Sequence, residues 1–234
     1  MPDHSLVQVL AERVRDISHR SDEAARLQRA VEAAVDLVAG CAHAGITVVE
    51  KGSVRTAAAT DHVVLAGDQL QYELGEGPCL DSIRLQRTVV ADDLTSDPRW
   101  PLWAPTVHER LGVSAMLSLL LFSDEGSFGS LNLYGRYPQV FDSDDIAVAN
   151  ALATHVGVAV WTGRAIAHRE TALITRTVIG QAEGVLMERY RLTPAASFAL
   201  LQRLSQTTNR KLVDLATELV TTGQLVALTD VHEP

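Results

Sequence analysis

The sequence predicts an α+β protein: an antiparallel sheet with flanking helices, then a long connecting helix, then a compact unit of three helices. Three observations carry this reading. Two strongly apolar runs, 115–122 and 129–134, flank a polar turn, Ser123-Asp-Glu-Gly126, which is the pattern of a β-hairpin. Apolar residues three and four apart continue from Ile146 past Leu186, far longer than any strand. Beyond Tyr190 come two short helical patterns, each with its own start and stop signals. The chain of 234 residues suits one medium domain and one small one, and at 47% hydrophobic it can fill a core in each.

Taken in order, residues 5–18 place Leu6, Val9, Leu10, Val14 and Ile17 on one helical face. Residues 23–39 repeat the pattern with Leu27, Ala30, Val31, Ala34, Val35 and Val38. Residues 46–50 and 54–58 read as a hairpin around Lys51-Gly-Ser. Residues 61–71 are helical. Gly75-Glu-Gly-Pro78 is a turn leading into a short helix through Leu80, Ile83 and Leu85, and 88–91 is a strand. Residues 98–111 form a helix carrying Trp100, Trp103, Val107 and Leu111. Asp142-Ser-Asp-Asp145 caps the long helix, which runs through Ile146, Leu152, Val156 and Ala159. Strands in this order give an antiparallel sheet with helices expected on one face.

The C-terminal pattern places Leu173, Ile174, Val178, Ile179, Ala182, Val185 and Leu186 on one stripe, with Gly184 inside the helix. A helix-interior glycine costs about 1 kcal/mol relative to alanine, so a neighbouring helix or a ligand backbone must approach it closely. The helix stops near Tyr190. Thr193 is an N-cap, Pro194 fits the first helical position, and Ser197 supports the first turn. A second helix runs through Phe198, Leu201 and Leu204. A third starts near Asn209, buries Leu212, Leu215, Ala216, Leu219 and Val220, and ends at Gly223. Packing leaves Arg176, Arg203, Ser205, Asn209, Arg210 and Lys211 over, either as a solvated face with an Asn cap or as a binding surface. Residues 165–223 hold seven Lys/Arg against five Asp/Glu, within a chain whose net charge is −9. That balance permits nucleic-acid binding without diagnosing it.

This segment resembles the ANTAR domain, an RNA-binding antitermination module. The resemblance rests on Ile179-x-x-Ala182-x-Gly184-x-x-Met187, the Ala/Phe helix after a short turn, and Leu204-Ser205 followed by Asn209-x-Lys211-Leu212. It implies RNA stem-loops in nascent transcripts as the partner. Arg176, Arg203, Arg210 and Lys211 would meet phosphate and loop, Ser205 and Asn209 would hydrogen-bond, Gly184 would allow close approach, and Gln181, Glu183 and Met187 would lie on the adjoining surface. Two positions depart from the family pattern: Glu183 stands where Lys is common and Gly180 where Asp is frequent. A carboxylate at 183 is repelled by phosphate but can accept from a cytosine amino group.

Residues 24–160 resemble a GAF domain, a ligand-sensing and dimerising module. The words that carry this are Gly75-Glu-Gly-Pro-Cys79, Val90-Ala-Asp-Asp-Leu94, Arg99-Trp-Pro, Ser114-Ala-Met-Leu-Ser118 and Gly129-Ser-Leu-Asn-Leu-Tyr134. The resemblance implies a pocket between the sheet and the segment 75–111, with Cys79, Trp100, Trp103, His108 and Met116 as its lining. The indoles suit core packing as well as ligand stacking. Cys79 suits a small buried residue, and His108 a surface or capping one. No cofactor is predicted, and the small molecule the pocket would hold is not named by the sequence. The expected domains are an N-terminal helix at 1–22, a GAF domain at 23–162, an ANTAR domain at 163–223 and a tail at 224–234.

The long helix carries a seam of Leu152, Val156, Ala159, Gly163, Ile166, Glu170, Leu173 and Thr177, in alternate steps of four and three. Its first half packs on the protein's own sheet. Its second half is expected to pair in a homodimer. Catalysis is a poor fit, since the chain has no Gly-rich phosphate loop, GxSxG or HExxH, and no His/Cys/Asp cluster has metal spacing. Cys41 and Cys79 form no CxxC, and the first residues lack a basic region with an apolar core, so a cytoplasmic protein with free thiols is expected. No apolar run approaches the ~20 residues of a membrane span, and no membrane role is expected. The alternative to RNA binding is a GAF dimer whose helical tail binds a protein.

Overall fold

A computed structural model describes residues 4–20, 22–50, 52–123 and 126–224. Lys51 of the first turn, Asp124 and Glu125 of the second, the tail from 225 and the side chain of Leu6 lie outside the described residues. The chain divides into two compact units, Met1–Arg164 and Ala165–Pro234.

The first unit contains α1 (His4–His19), α2 (Glu23–Leu37), β1 (His43–Glu50), β2 (Ser53–Ala59), α3 (His62–Leu74), α4 (Pro78–Leu85), β3 (Val89–Ala91), α5 (Trp103–Leu111), β4 (Ala115–Ser123), β5 (Gly126–Gly135) and the start of α6 (Ser143–Tyr190). The strands form one antiparallel sheet in the order β2-β1-β5-β4-β3. On β5, Leu131 sits opposite Ile46 of β1 and Leu119 of β4.

Side chains alternate across a strand, and here both faces are buried. Ala44, Ile46, Val48, Leu117, Leu119, Leu121, Leu131 and Leu133 pack with Ile17, Leu27 and Val31 of α1 and α2 and with Leu152, Val156 and Val160 of α6. Met116 and Tyr134 belong to a second buried cluster, with Val64 of α3, Cys79 of α4, and Trp103 and Val107 of α5. Helices therefore cover both faces, which corrects the expectation of one covered face. The reason is chemical: Ser118, Ser130 and Asn132 make that second face look wet in the sequence, yet all three are fully buried.

Capping sets the helix starts. Asp22 accepts from the Ala25 amide at 3.1 Å, and Asp61 from the Val63 amide at 2.9 Å. α5 begins at Trp103, five residues later than the expected start at Pro98. The Asp97 carboxylate binds the Arg99 amide in a local turn, and Glu76 Oε2 caps the amides of Leu102 and Trp103 at 3.0 and 3.2 Å. Glu76 comes from the Gly-Glu-Gly-Pro turn, so that word of the sequence has a structural task.

α6 carries the chain from the first unit into the second. It contains an 18-residue stretch of mean hydropathy 1.4, one third of it buried, and by length and composition alone it is long and apolar enough to cross a membrane. The expectation concerned unbroken apolar runs; this stretch is apolar on average and interrupted by polar residues. Its early apolar residues Ala149, Leu152, Ala153, Val156 and Val160 are core.

In the second unit, Ala182 and Leu186 of α6 pack with Leu201 of α7 (Pro194–Thr208) and with Leu215, Ala216 and Leu219 of α8 (Leu212–Thr222). Thr193 caps α7 by accepting from the Ala196 amide at 3.3 Å. Phe198 and Val220, expected in the buried stripes, are 37% and 38% exposed. Asn209 does not start the third helix. It ends α7 in the left-handed region at φ 52°, a conformation asparagine tolerates better than most residues, and α8 begins after Lys211.

Candidate functional site

Beneath α3 and α4, the second face of the sheet carries a polar network that a hydrophobic core does not require. Asn132 of β5 is at its centre. Its Oδ1 accepts from Ser118 at 2.7 Å and Ser130 at 3.1 Å, and its Nδ2 donates to Thr47 Oγ1 at 3.0 Å. The Cys79 thiol donates to Thr47 Oγ1 at 3.2 Å and lies 3.2 Å from Ser130 Oγ. The Tyr134 hydroxyl donates to Asp68 Oδ1 in a short bond, and Thr56 donates to Asp68 Oδ2 at 2.8 Å. The Tyr72 hydroxyl bridges Thr47 at 2.8 Å and Thr56 at 3.1 Å.

Asp68 is completely buried, and among the described residues no Lys, Arg or His pairs with it. Burial pushes its carboxyl up to about 6, against the lowering pull of the Tyr134, Thr56 and Asn132 hydrogen bonds. Burial likewise raises the Cys79 thiol and the Tyr72 and Tyr134 hydroxyls, so these neighbours stay neutral. Gln71, one turn after Asp68 on α3, is also fully buried. Its Oε1 accepts from the Cys79 amide at 2.9 Å, and its Nε2 has no partner among the described residues.

An open cleft of about 580 Å³ lies between β2 and α3, lined by Val54, Arg55, Thr56, His62, Leu65, Ala66, Gln69 and Tyr72. Thr56 and Tyr72 thus belong both to the cleft wall and to the buried network. Arg55 is held by Glu50 at 2.9 Å.

None of the five expected pocket residues lines this cleft. Cys79, Trp100, Trp103 and Met116 are buried together behind it. The two indoles meet edge to face with centroids 6.2 Å apart. Trp100 donates to Asp81 at 2.9 Å, and Trp103 donates to the Gly67 carbonyl of α3 at 3.0 Å. Both N–H groups are satisfied inside the protein, so the indoles pack as core. His108 is half-buried, with Nδ1 3.2 Å from both the Val113 carbonyl and the Ser114 hydroxyl, where it ties α5 to the residues leading into β4.

Sequence reading missed Thr47, Thr56, Asp68, Gln71, Tyr72, Ser130 and Asn132. One signal was present: Asp68, Gln71 and Tyr72 recur at helical spacing beside the apolar Val64, which puts an acid on the inner face of α3.

In the second unit the expected RNA-facing residues fall on two places. On α6, Arg176, Gln181 and Gly184 are exposed, while Glu183 and Met187 are half-buried. Among the described residues, the helix's own backbone aside, nothing lies within 4 Å of the point a Cβ would occupy at Gly180 or Gly184. No described helix of this chain is therefore the close neighbour expected at Gly184. At the α7–α8 corner, Arg203, Asn209 and Lys211 are exposed. Ser205 donates to the Arg210 carbonyl at 2.6 Å, and the Arg210 guanidinium pairs with Glu218 at 2.6 Å. Two of the expected contacts thus have partners inside the unit.

Known proteins match on both counts, fold and family. The GAF domain of an Acinetobacter phosphoenolpyruvate-protein phosphotransferase superposes with a TM-score of 0.56 at 13% identity, covering 70% of this chain and 97% of that one. A free methionine-R-sulfoxide reductase from Neisseria meningitidis, solved with its substrate, gives 0.56 at 18% identity over 69% and 91%. The cyanobacteriochrome TePixJ GAF domain gives 0.51 at 18% over 63% and 94%. At such identities these likenesses define the fold: a GAF-type sheet with its flanking helices. No curated protein matches the chain. The GAF domain family model matches residues 20–160 and the ANTAR domain model residues 167–220. The chain belongs to the GAF family and carries an ANTAR domain behind its sensor. Both are regulatory domains, and at family level the protein is a signal-sensing, RNA-binding regulator.

Proposed function

We propose that this protein is a cytoplasmic, ligand-controlled transcription antiterminator. A small molecule in the GAF domain alters α6, and the ANTAR units of a homodimer bind stem-loops in a nascent transcript, so that a terminator hairpin does not form. The observation that carries the RNA half is Gly184. It is an exposed glycine inside a helix at an energetic cost, no described neighbour accounts for it, and the same helix exposes Arg176 and Gln181. Arg203, Asn209 and Lys211 provide the second contact area, with Ser205 and Arg210 shaping its backbone. The GAF domain provides the sensing half through the cleft beside Thr56 and Tyr72, with Cys79 and Trp103 as the wall behind it.

The dimer reading draws on α6, where Ile166, Leu173 and Ile174 are 51%, 64% and 64% exposed. Apolar residues so exposed at helical spacing suit a second copy of the same helix. They suit a different protein equally well, and this supports the second reading: a helical tail that docks a protein partner without binding RNA.

A gel shift of the full chain with a pair of RNA hairpins across a salt series separates the two. An RNA binder loses affinity steeply as salt rises. Failure to shift any hairpin pair at low salt sinks the RNA reading and leaves the protein-partner one.

A further inference from the structure

We propose that the cleft between β2 and α3 binds a small organic cation, a protonated amine on an apolar body, whose charge is read by the Asp68 carboxylate through the hydroxyls of Thr56 and Tyr72. This rests on the reading of the GAF domain as a sensor and adds the chemistry of what it senses.

The cleft wall offers apolar surface from Val54, Leu65 and Ala66, and Thr56 and Tyr72, whose hydroxyls lead from it into the buried network, also line it. An N–H in the cleft can donate to either oxygen. The Thr56 hydroxyl itself donates inward to Asp68 at 2.8 Å and accepts from Tyr72 at 3.1 Å, so one lone pair on its oxygen remains for a donor on the cleft side. The hydrogen bonds of such a chain polarise one another. A cation there stands about 5–6 Å from the carboxylate, two hydrogen-bond lengths away.

A buried carboxylate without a cationic partner is expensive. Every hydrogen bond given to Asp68 comes from a neutral group: Tyr134, Thr56 and Asn132. The titratable groups facing it, Tyr72 on α3, Cys79 on α4 and Tyr134 on β5, are neutral and supply no charge. The cation on the rim, Arg55, is already compensated by Glu50.

The test uses the full chain and three probes of one shape: 2-phenylethylamine, 2-phenylethanol and 3-phenylpropanoate. Titrations followed by amide NMR shifts should move residues 54–56 and 62–72, with the amine binding roughly tenfold or more tightly than the alcohol, as expected for a charge at this distance in a partly screened site. Asp68→Asn should erase that preference. Thr56→Val, which keeps the volume, should do the same and serves if Asp68→Asn does not fold. Ala66→Phe should block all three probes.

Equal binding of amine and alcohol, a preference that survives both Asp68→Asn and Thr56→Val, or no shift in this segment overturns the proposal. Amine binding that depends on Asp68 but leaves hairpin affinity unchanged supports the site and sinks the sensor reading on its own.

Discussion

The side-chain amide of Gln71 fills the space in front of Gly77: a Cβ at 77 would run into Gln71 Oε1, Cγ and Cδ. Gly77 has φ 132°, a backbone region that only glycine enters readily, and it leads directly into α4. With the Gln71 bond to the Cys79 amide, this pair locks the Gly-Glu-Gly-Pro turn onto α3. Gly77→Ala should therefore destabilise the first unit by at least about 1–3 kcal/mol from backbone strain alone. A urea titration reading Trp fluorescence checks this; a midpoint within error of the parent would refute the lock.

Asp68 makes stability depend on pH with a definite sign. Its folded carboxyl lies at about 6, above the unfolded value of about 3.9. The folded state holds the proton more tightly, so this group's stabilising contribution is complete below about pH 4 and is lost as pH rises through about 6. Asp68→Asn removes the titration. The stability of the variant relative to the parent should rise between pH 4 and 7 by up to roughly 3 kcal/mol. A flat difference across that range in urea melts would mean that Asp68 is not buried as a lone carboxyl.

Trp103 has no solvent exposure and fills the junction of α3, α5 and the sheet. Trp103→Ala should cost about 3–5 kcal/mol in the first unit and remove the indole N–H from the Gly67 carbonyl. Calorimetry should show one transition moving down while the helical signal of the second unit persists. If stability is unchanged and only a ligand response is lost, the indole belongs to a pocket and not to the core.

On the RNA side, Arg203→Ala and Lys211→Ala should each weaken hairpin binding and make the salt slope shallower by roughly 0.7–0.9 per lost phosphate contact. Arg210→Ala should also disturb the α7–α8 corner, because its guanidinium holds Glu218. Gly184→Leu should abolish binding with circular dichroism unchanged, since none of the described residues occupies the space. Glu183→Lys should tighten binding, and weaker binding there would show that the carboxylate faces a base donor rather than phosphate.

For assembly, sedimentation of the full chain should show a dimer at micromolar concentration. Leu173→Lys should shift it toward monomer without changing its helix content. An unaffected dimer would place the interface elsewhere than on this part of α6.

The helices were legible because their apolar stripes follow the 3.6 period whatever packs on them. α2 and α7 fall where Leu27 and Leu201 put them. The polar network was not legible, for a reason specific to β5. Ser130 and Asn132 alternate with Leu131 and Leu133, which is also the pattern of a strand with one wet face. Only the covering helices α3 and α4 make that face dry, and no local pattern announces a covering helix. The start of α5 was missed because the cap came from Glu76, 26 residues before Leu102. Asn209 was read as a start because asparagine suits helix starts and left-handed stops alike, and the choice rests on which side the next apolar stripe begins.

α6 has one further consequence. From Ile166 to Thr177 its described side chains are nearly all exposed, and this is the stretch proposed above to pair with a second copy. A continuous helix in such a pair carries phase as well as length. Each added residue turns everything beyond it by about 100°, so seven extra residues restore the phase to within about 20°, while two rotate it by about 200°. If the proposed ligand control acts through α6, a seven-residue helical insertion at Arg169 should preserve it and a two-residue one should abolish it, because what passes along such a helix is a direction.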